Sequence, residues 1–302
     1  MMTQSKANFM LLIVTIFWGS SYLFMKMGLT VIPEFTLIAL RFGIAFILAG
    51  TLFFRRLLHA GFKTIQYAFY LGTILFFVFI SITFGIKTTT ASNAGFLVSL
   101  TVIFVPLLLA LYLKRMPEKR ILFGISFALI GIGFLTLHHQ FIISFGDFLC
   151  IIGALFYAIH IIVTGKLTKD VDSISLGILQ LGFAGAWGLL FSLIVEKPQL
   201  PSTLDSWVAV LGLGVFCSAF GFVVQTIAQK YTTPTHTGLL FSLEPVFAAF
   251  FAFAFAGEML TAKGYLGASL VLIGVLTAEV DVKKFLLKKE ACKTNQGCEM
   301  TK

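Results

Sequence analysis

Ten times along its length this chain runs for about 20 residues with almost no charge, the span an α-helix needs to cross the hydrocarbon core of a bilayer. The runs fall near residues 8–28, 35–54, 66–86, 91–113 and 119–137, then 147–165, 174–195, 206–229, 235–256 and 262–281, joined by short polar links. With 58% hydrophobic and 12% charged residues and a mean hydropathy of +0.99, too little polar surface remains to clothe a soluble fold. Lipid is therefore the expected solvent, and the lipid bilayer the first expected partner. Only 7 prolines interrupt 302 residues, which favours long helices over barrel strands. Lys6 and the run behind it resemble the start of a secretory signal, but the run is too long and lacks a small-residue cleavage site. The predicted fold class is an all-α polytopic membrane protein with ten transmembrane helices.

The formal charge of +9 suits either nucleic acid or a membrane surface, and its placement decides for the membrane. Seventeen of the 22 Lys and Arg residues lie before the first run, in alternate links and in the tail, if the N-terminus is cytoplasmic. The opposite links hold only Lys26, Lys87, Lys197 and Lys263, and Arg41 lies inside the second run. This bias predicts a multi-pass protein of the inner (plasma) membrane with both termini in the cytoplasm, and no nucleic-acid partner. Cys150 and Cys217 lie in apolar runs and Cys292 and Cys298 in the tail, without zinc-ligand spacing, so all are read as reduced.

The chain repeats itself. At a shift of 143 residues, Lys87, Thr89, Thr90, Gly95, Leu97, Ser99, Leu100 and Phe104 fall on Lys230, Thr232, Thr233, Gly238, Leu240, Ser242, Leu243 and Phe247. The register continues without a gap from Met116, Gly124, Ser126 and Gly131 to Met259, Gly267, Ser269 and Gly274. At a shift of 139, Phe9, Phe17 and Gly43 meet Phe148, Phe156 and Gly182, while Trp18 meets Tyr157 and Arg41 meets Gln180. Two copies of five spans are expected, at 7–137 and 147–281, followed by a basic cytoplasmic tail at 282–302. An odd number of spans per copy makes the second copy enter the bilayer from the opposite side, and two inverted repeats can exchange roles in alternating access.

Several residues could carry chemistry. Glu244 is placed about nine residues into the ninth span, where an ionised side chain costs at least about 2.5–3.5 kcal/mol. Its neighbour Pro245 cannot donate to the Phe241 carbonyl. The carboxyl either takes up and releases a proton, or binds a cation, during transport, or stays protonated as an interhelical hydrogen-bond donor. Trp18 and Tyr22 share a face of the first span, and Tyr157 and His160 one of the sixth; these stripes either line a cavity or are packing. His160 is a proton carrier or a satisfied interhelical donor. Asn93 and His236 occupy equivalent repeat positions two turns before Thr101 and Glu244, where they contact substrate or join the halves. Arg41 either snorkels or pairs as a structural anchor, with Glu34 seven residues away on the same face, or binds an anionic group. Gly124 and Gly131, repeated as Gly267 and Gly274, predict close helix packing, either within one chain or between two copies in a homodimer.

Four motif groups resemble the EamA family of drug/metabolite transporters: Phe17-Trp18-Gly19-Ser20-Ser21 with Lys26; Leu40-Arg41-Phe42; Thr90 through Leu97 with Phe104-Val105-Pro106; and Ser242-Leu243-Glu244-Pro245 with Gly257-Glu258. The resemblance implies two five-helix halves around a central cavity that exports or imports amino acids, other metabolites or toxic compounds, and it favours efflux. Where the second copy has Glu244-Pro245 the first has Thr101-Val102, so any acidic role belongs to the second copy alone. The expected function is secondary active transport of a small-molecule substrate, with Glu244 as the proton-coupling or cation-binding group and Trp18, Tyr22, Asn93, Thr101, Tyr157, His160 and His236 at the substrate cavity. A passive channel is the alternative. A membrane-embedded enzyme is a weaker one: no HExxH, GxSxG or GxxxxGK[ST] pattern occurs, and neither a metal nor a cofactor is expected.

Overall fold

The computed structural model describes residues 2–89, 91–114, 116–136, 144–256 and 262–279. The expected tail at 282–302, Gly257-Glu258, Thr90 and the side chain of Asn93 lie outside the described residues.

All regular structure among the described residues is helical. In chain order the helices are α1 (Gln4–Gly28), α2 (Glu34–Leu52), α3 (Phe54–Leu58), α4 (Phe62–Thr88), α5 (Ala91–Ser99), α6 (Thr101–Leu113) and α7 (Lys119–Thr136). Then come α8 (Phe145–Leu167), α9 (Ser173–Val195), α10 (Leu204–Leu211), α11 (Gly221–Gln229), α12 (Pro234–Phe241), α13 (Glu244–Ala256) and α14 (Ala262–Glu279). A π-helical turn, Gly212–Phe220, joins α10 to α11. Seven helices are long and apolar enough to cross a membrane: α1, α2, α4, α8, α9, the α10–α11 unit, and α12 with α13. Three further apolar stretches are shorter, Leu97–Leu113, Ile121–Phe134 and Ala262–Thr277. This is a multi-pass membrane architecture, with large apolar side chains such as Phe123, Leu193 and Phe250 on its outer surface.

The expected continuous spans at 91–113 and 235–256 are each broken in the middle. Between α5 and α6 the Leu100 N–H donates to Leu97 and the Ile103 N–H to Leu100; between α12 and α13 the Leu243 N–H donates to Leu240 and the Val246 N–H to Leu243. The chain tightens to three residues per turn at both places, in the same repeat register. Pro245 cannot explain the first break, because Val102 stands there. Both breaks share a Ser-Leu pair, and a hydroxyl turns back onto a carbonyl three residues earlier in each: Thr101 onto Val98 and Ser242 onto Leu239, both at 2.6 Å. Glu244 therefore heads a new helix instead of sitting nine residues inside one.

The principal packing joins the helices α1–α7 to the helices α8–α14: α2 lies on α9, α4 on α8, α1 on α11 and α13, and α7 on α14. In that last pair a Cβ on Gly131 would stand 2.5 Å from the Gly267 carbonyl, and one on Gly274 2.6 Å from the Gly124 carbonyl. The repeated small residues thus bring these two helices of one chain together.

Each end of the bundle has its own cross-links. At one end, Arg56 pairs with Asp172 at 3.3 Å and Lys63 with Asp170 at 3.7 Å, Thr232 donates to Asn8 at 2.9 Å, and Lys166 lies over the Tyr112 ring. Lys114 and Lys169 share these links, and we call this the basic end. At the other, Glu34 pairs with Lys87, and the Glu196 carboxylate accepts the N–H groups of Phe35 and Thr36 at 2.9 and 3.0 Å. Pro33 offers α2 no side-chain cap, so a residue from the end of α9 supplies it.

Candidate functional site

Helices from the N-terminal and C-terminal parts of the chain meet around a small cavity lined by Trp18, Tyr22, Met25, Arg41, Tyr157 and Glu244, among others. Its water-accessible volume is about 30 Å³, enough for one or two water molecules. Glu244, 6% exposed, reaches the cavity from the first residue of α13, and Tyr22 lines the same cavity. Ending α12 at Phe241 and restarting at Glu244 sets this carboxyl at the junction of two helix ends. That is how discontinuous transmembrane helices build ion and substrate sites.

Arg41 is 1% exposed. It neither snorkels nor pairs with Glu34, whose partner is Lys87. Its Nε donates to the Ser218 hydroxyl at 3.0 Å and its Nη1 to the Met25 sulfur at 3.6 Å, while the guanidinium lies 4.2 Å from the Phe79 ring centre and 5.0 Å from that of Phe42. Aromatic faces and a thioether thus take the place of bulk water around this cation. Glu244 and Arg41 thus line one space.

The π turn fixes both anchors. Its Cys217 carbonyl accepts the Trp18 indole N–H at 2.7 Å, and its Ser218 hydroxyl accepts Arg41. A wide turn leaves carbonyls without an i+4 partner, which suits it to holding side chains from elsewhere. A Cβ at Gly221 would stand 2.5 Å from the Trp18 indole nitrogen, so this position has no room for one. Trp18 packs against Tyr157, Phe222 and Phe241 at centroid distances of 5.8, 5.0 and 4.8 Å, and Tyr157 stacks on Phe241.

The structure thus brings Trp18, Tyr22, Arg41, Tyr157 and Glu244 together. Thr101, at the repeat position of Glu244, is 2% exposed and turns its hydroxyl to the carbonyls of Val98 and Ala154. His160 lies one turn along α8 from Tyr157, its Nε2 2.9 Å from Gln180 Oε1. His236 is half-buried in the first turn of α12, and Thr233 caps that turn; it is not a cavity residue. Sequence reasoning missed Met25, Phe79, Phe222 and Ser218, whose residue types carry no signal by themselves. It also missed Gln225 and Gln229 of α11, where two amides four residues apart in an apolar run were a legible cue.

The EamA-like transporter family matches the chain twice, over residues 5–137 and 144–278. An uncharacterized transporter of Archaeoglobus fulgidus is 29% identical over 278 residues, covering 91% of this chain and 86% of that protein. The uncharacterized transporter YyaM of Bacillus subtilis is 26% identical, covering 93% and 97%. A crystal structure superposes with a TM-score of 0.77 at 17% identity, covering 93% of this chain and 99% of its own, and so shares the fold. With its double match spanning nearly the full length, this chain belongs to the EamA-like transporter family.

Proposed function

We propose that the protein is a secondary active transporter of small metabolites, amino acids among them, that works by alternating access with Glu244 as its proton-coupling or cation-binding group. The single observation behind this is the position of Glu244: a carboxyl enclosed where the two halves meet, at the head of a broken helix and in one cavity with Arg41. A zwitterion suits such a space, its ammonium toward Glu244 and its carboxylate toward Arg41. The aromatic rings of Trp18, Tyr22 and Tyr157 would cover its body.

On this reading ten spans form two inverted halves, 7–137 and 147–281, with α5 and α6 as one broken span and α12 and α13 as its counterpart. The duplicate family match, the shared register of the two breaks and the packing of α2 on α9 and α7 on α14 support it. Both termini lie in the cytoplasm of a cell with the protein in its inner membrane, transport runs outward, and the basic end faces inward. A cavity with room only for water corresponds to a closed form, which opens to one side at a time.

Proteoliposomes loaded with candidate amino acids, nucleosides, sugars and organic cations separate this from passive permeation. A carrier concentrates its substrate above the equilibrium level when a pH gradient is imposed and loses that excess when a protonophore is added. Equilibration without accumulation, for every compound that crosses, would make the protein a channel or facilitator.

A further inference from the structure

Next to the cavity, and continuous with it at Tyr157, α8 and α11 enclose a second set of polar groups. Tyr157, His160 and Thr164 lie on one stripe of α8, running from the cavity toward the basic end, and all are at least nine-tenths buried. Gln225 and Gln229 face this stripe from α11. The Gln229 amide donates to the Ile161 carbonyl at 3.0 Å, and the Gln225 amide donates to Gln229 Oε1 at 3.0 Å. Four polar atoms in this layer have no hydrogen-bond partner among the described residues: Tyr157 Oη, His160 Nδ1, Thr164 Oγ1 and Gln225 Oε1.

Their chemistry restricts what can satisfy them. The Thr226 hydroxyl donates to the Phe222 carbonyl at 2.6 Å and accepts the Gln180 amide at 3.0 Å, which turns Gln180 Oε1 toward His160. His160 Nε2 therefore carries the hydrogen, and Nδ1 is a bare acceptor. Gln225 Oε1 is a second acceptor, and the two remaining groups are hydroxyls. Two acceptors and two hydroxyls in one buried layer call for small mobile donors, and buried polar groups in this position are normally met by water.

The repeat supplies an internal comparison. At the positions equivalent to Thr164, Gln225 and Gln229, the first half has Met25, Ile82 and Ile86, all buried and apolar. The equivalent stripe runs toward the opposite end of the bundle; Ser21 and Arg41, at the positions of His160 and Gln180, lie at the cavity itself, and at the three positions farther out that route is apolar.

We infer that α8 and α11 hold a file of water molecules linking the Glu244 cavity to the basic end, and that protons reach the carboxyl by this route from that side only. The proton-carrying part rests on the proposed role of Glu244; the hydration does not. In each transfer the carboxylate takes a proton from the adjacent water, each water is reprotonated by the next, and one proton enters at the basic end. The charged groups at the mouth are Lys166, Lys169, Asp170 and Asp172, with Lys230, Arg56 and Lys63. Inside, the titratable groups are His160, Tyr157, Tyr22, Arg41 and Glu244, with the thiols of Cys150 and Cys217.

Radiolytic hydroxyl-radical labelling of the full chain in nanodiscs, in oxygen-18 water and without substrate, tests the file directly. His160 and Tyr157 are expected to take up the label despite their burial. Thr164→Val with Gln225→Met, near-isosteric and apolar, should cut His160 labelling several-fold with no loss of melting temperature. An unlabelled His160 in the native chain, or equal labelling in the double variant, would overturn the water file. Gradient-driven uptake should also slow several-fold in the double variant; full uptake with labelling lost would overturn its role as the proton route. If Glu244→Gln retained gradient-driven uptake while labelling stayed intact, the role of Glu244 would fall and the hydrated layer would stand.

Discussion

Trp18 shows what a single side chain contributes here. Its indole N–H is bound to the Cys217 carbonyl in the π turn, and its ring closes the cavity against Tyr157. Trp18→Phe removes that hydrogen bond, so a loss of about 1 kcal/mol is expected in detergent unfolding. Arg41 is bound by directed contacts that an ammonium cannot reproduce. Arg41→Lys should keep the charge yet weaken substrate binding by about tenfold or more, as an equilibrium-binding assay would show. The sequence disclosed both residues as anomalies, a tryptophan and an arginine in apolar runs, but not their partners. Ser218 and Cys217 become partners only through a wide turn that hydrophobic periodicity does not encode.

At the scale of the helix, two contacts can be tested against internal controls. A methyl group at Gly131 would meet the backbone of α14, so Gly131→Ala should cost about 1–3 kcal/mol by overpacking. Gly43 of α2 has nothing within 4 Å of the same methyl group, so Gly43→Ala should be neutral or stabilise by up to about 1 kcal/mol through helix propensity. Asp172 caps α9. Partial burial disfavours its charge, but the Ser175 N–H and hydroxyl, Arg56 and Lys230 outweigh that and hold the carboxyl below its ordinary range. A group depressed in the folded state stabilises above its unfolded value and loses that contribution as pH falls through the folded one. Asp172→Ala should therefore cost about 1 kcal/mol at neutral pH, and the gap from the native protein should close on acidification below the ordinary aspartate value of about 3.9, as melting curves would record. The small-residue stripes of α7 and α14 were legible as contact surfaces. Sequence could not say that they meet each other, because the choice between an internal and an external partner depends on where the two helices lie in the folded chain.

For the whole molecule, the apolar runs and the repeat gave the order and approximate limits of the helices, because spanning length and hydropathy are local properties. The breaks at Leu100 and Leu243 escaped because a turn of three residues disturbs neither property, and with them went the placement of Glu244 at a helix start. If the two halves are inserted in opposite senses, Lys114 and Lys263 lie on opposite sides of the bilayer. Single cysteines at these positions should then react with an impermeant thiol reagent from opposite faces of sealed vesicles. The account as a whole depends on Glu244 exchanging a coupling ion while substrate crosses. The most direct measurement compares Glu244→Gln with the native protein in two assays on the same proteoliposomes, substrate counterflow and uptake driven by a pH gradient. Counterflow kept near the native rate with gradient-driven accumulation abolished is the expected result. Undiminished accumulation in the variant would contradict it.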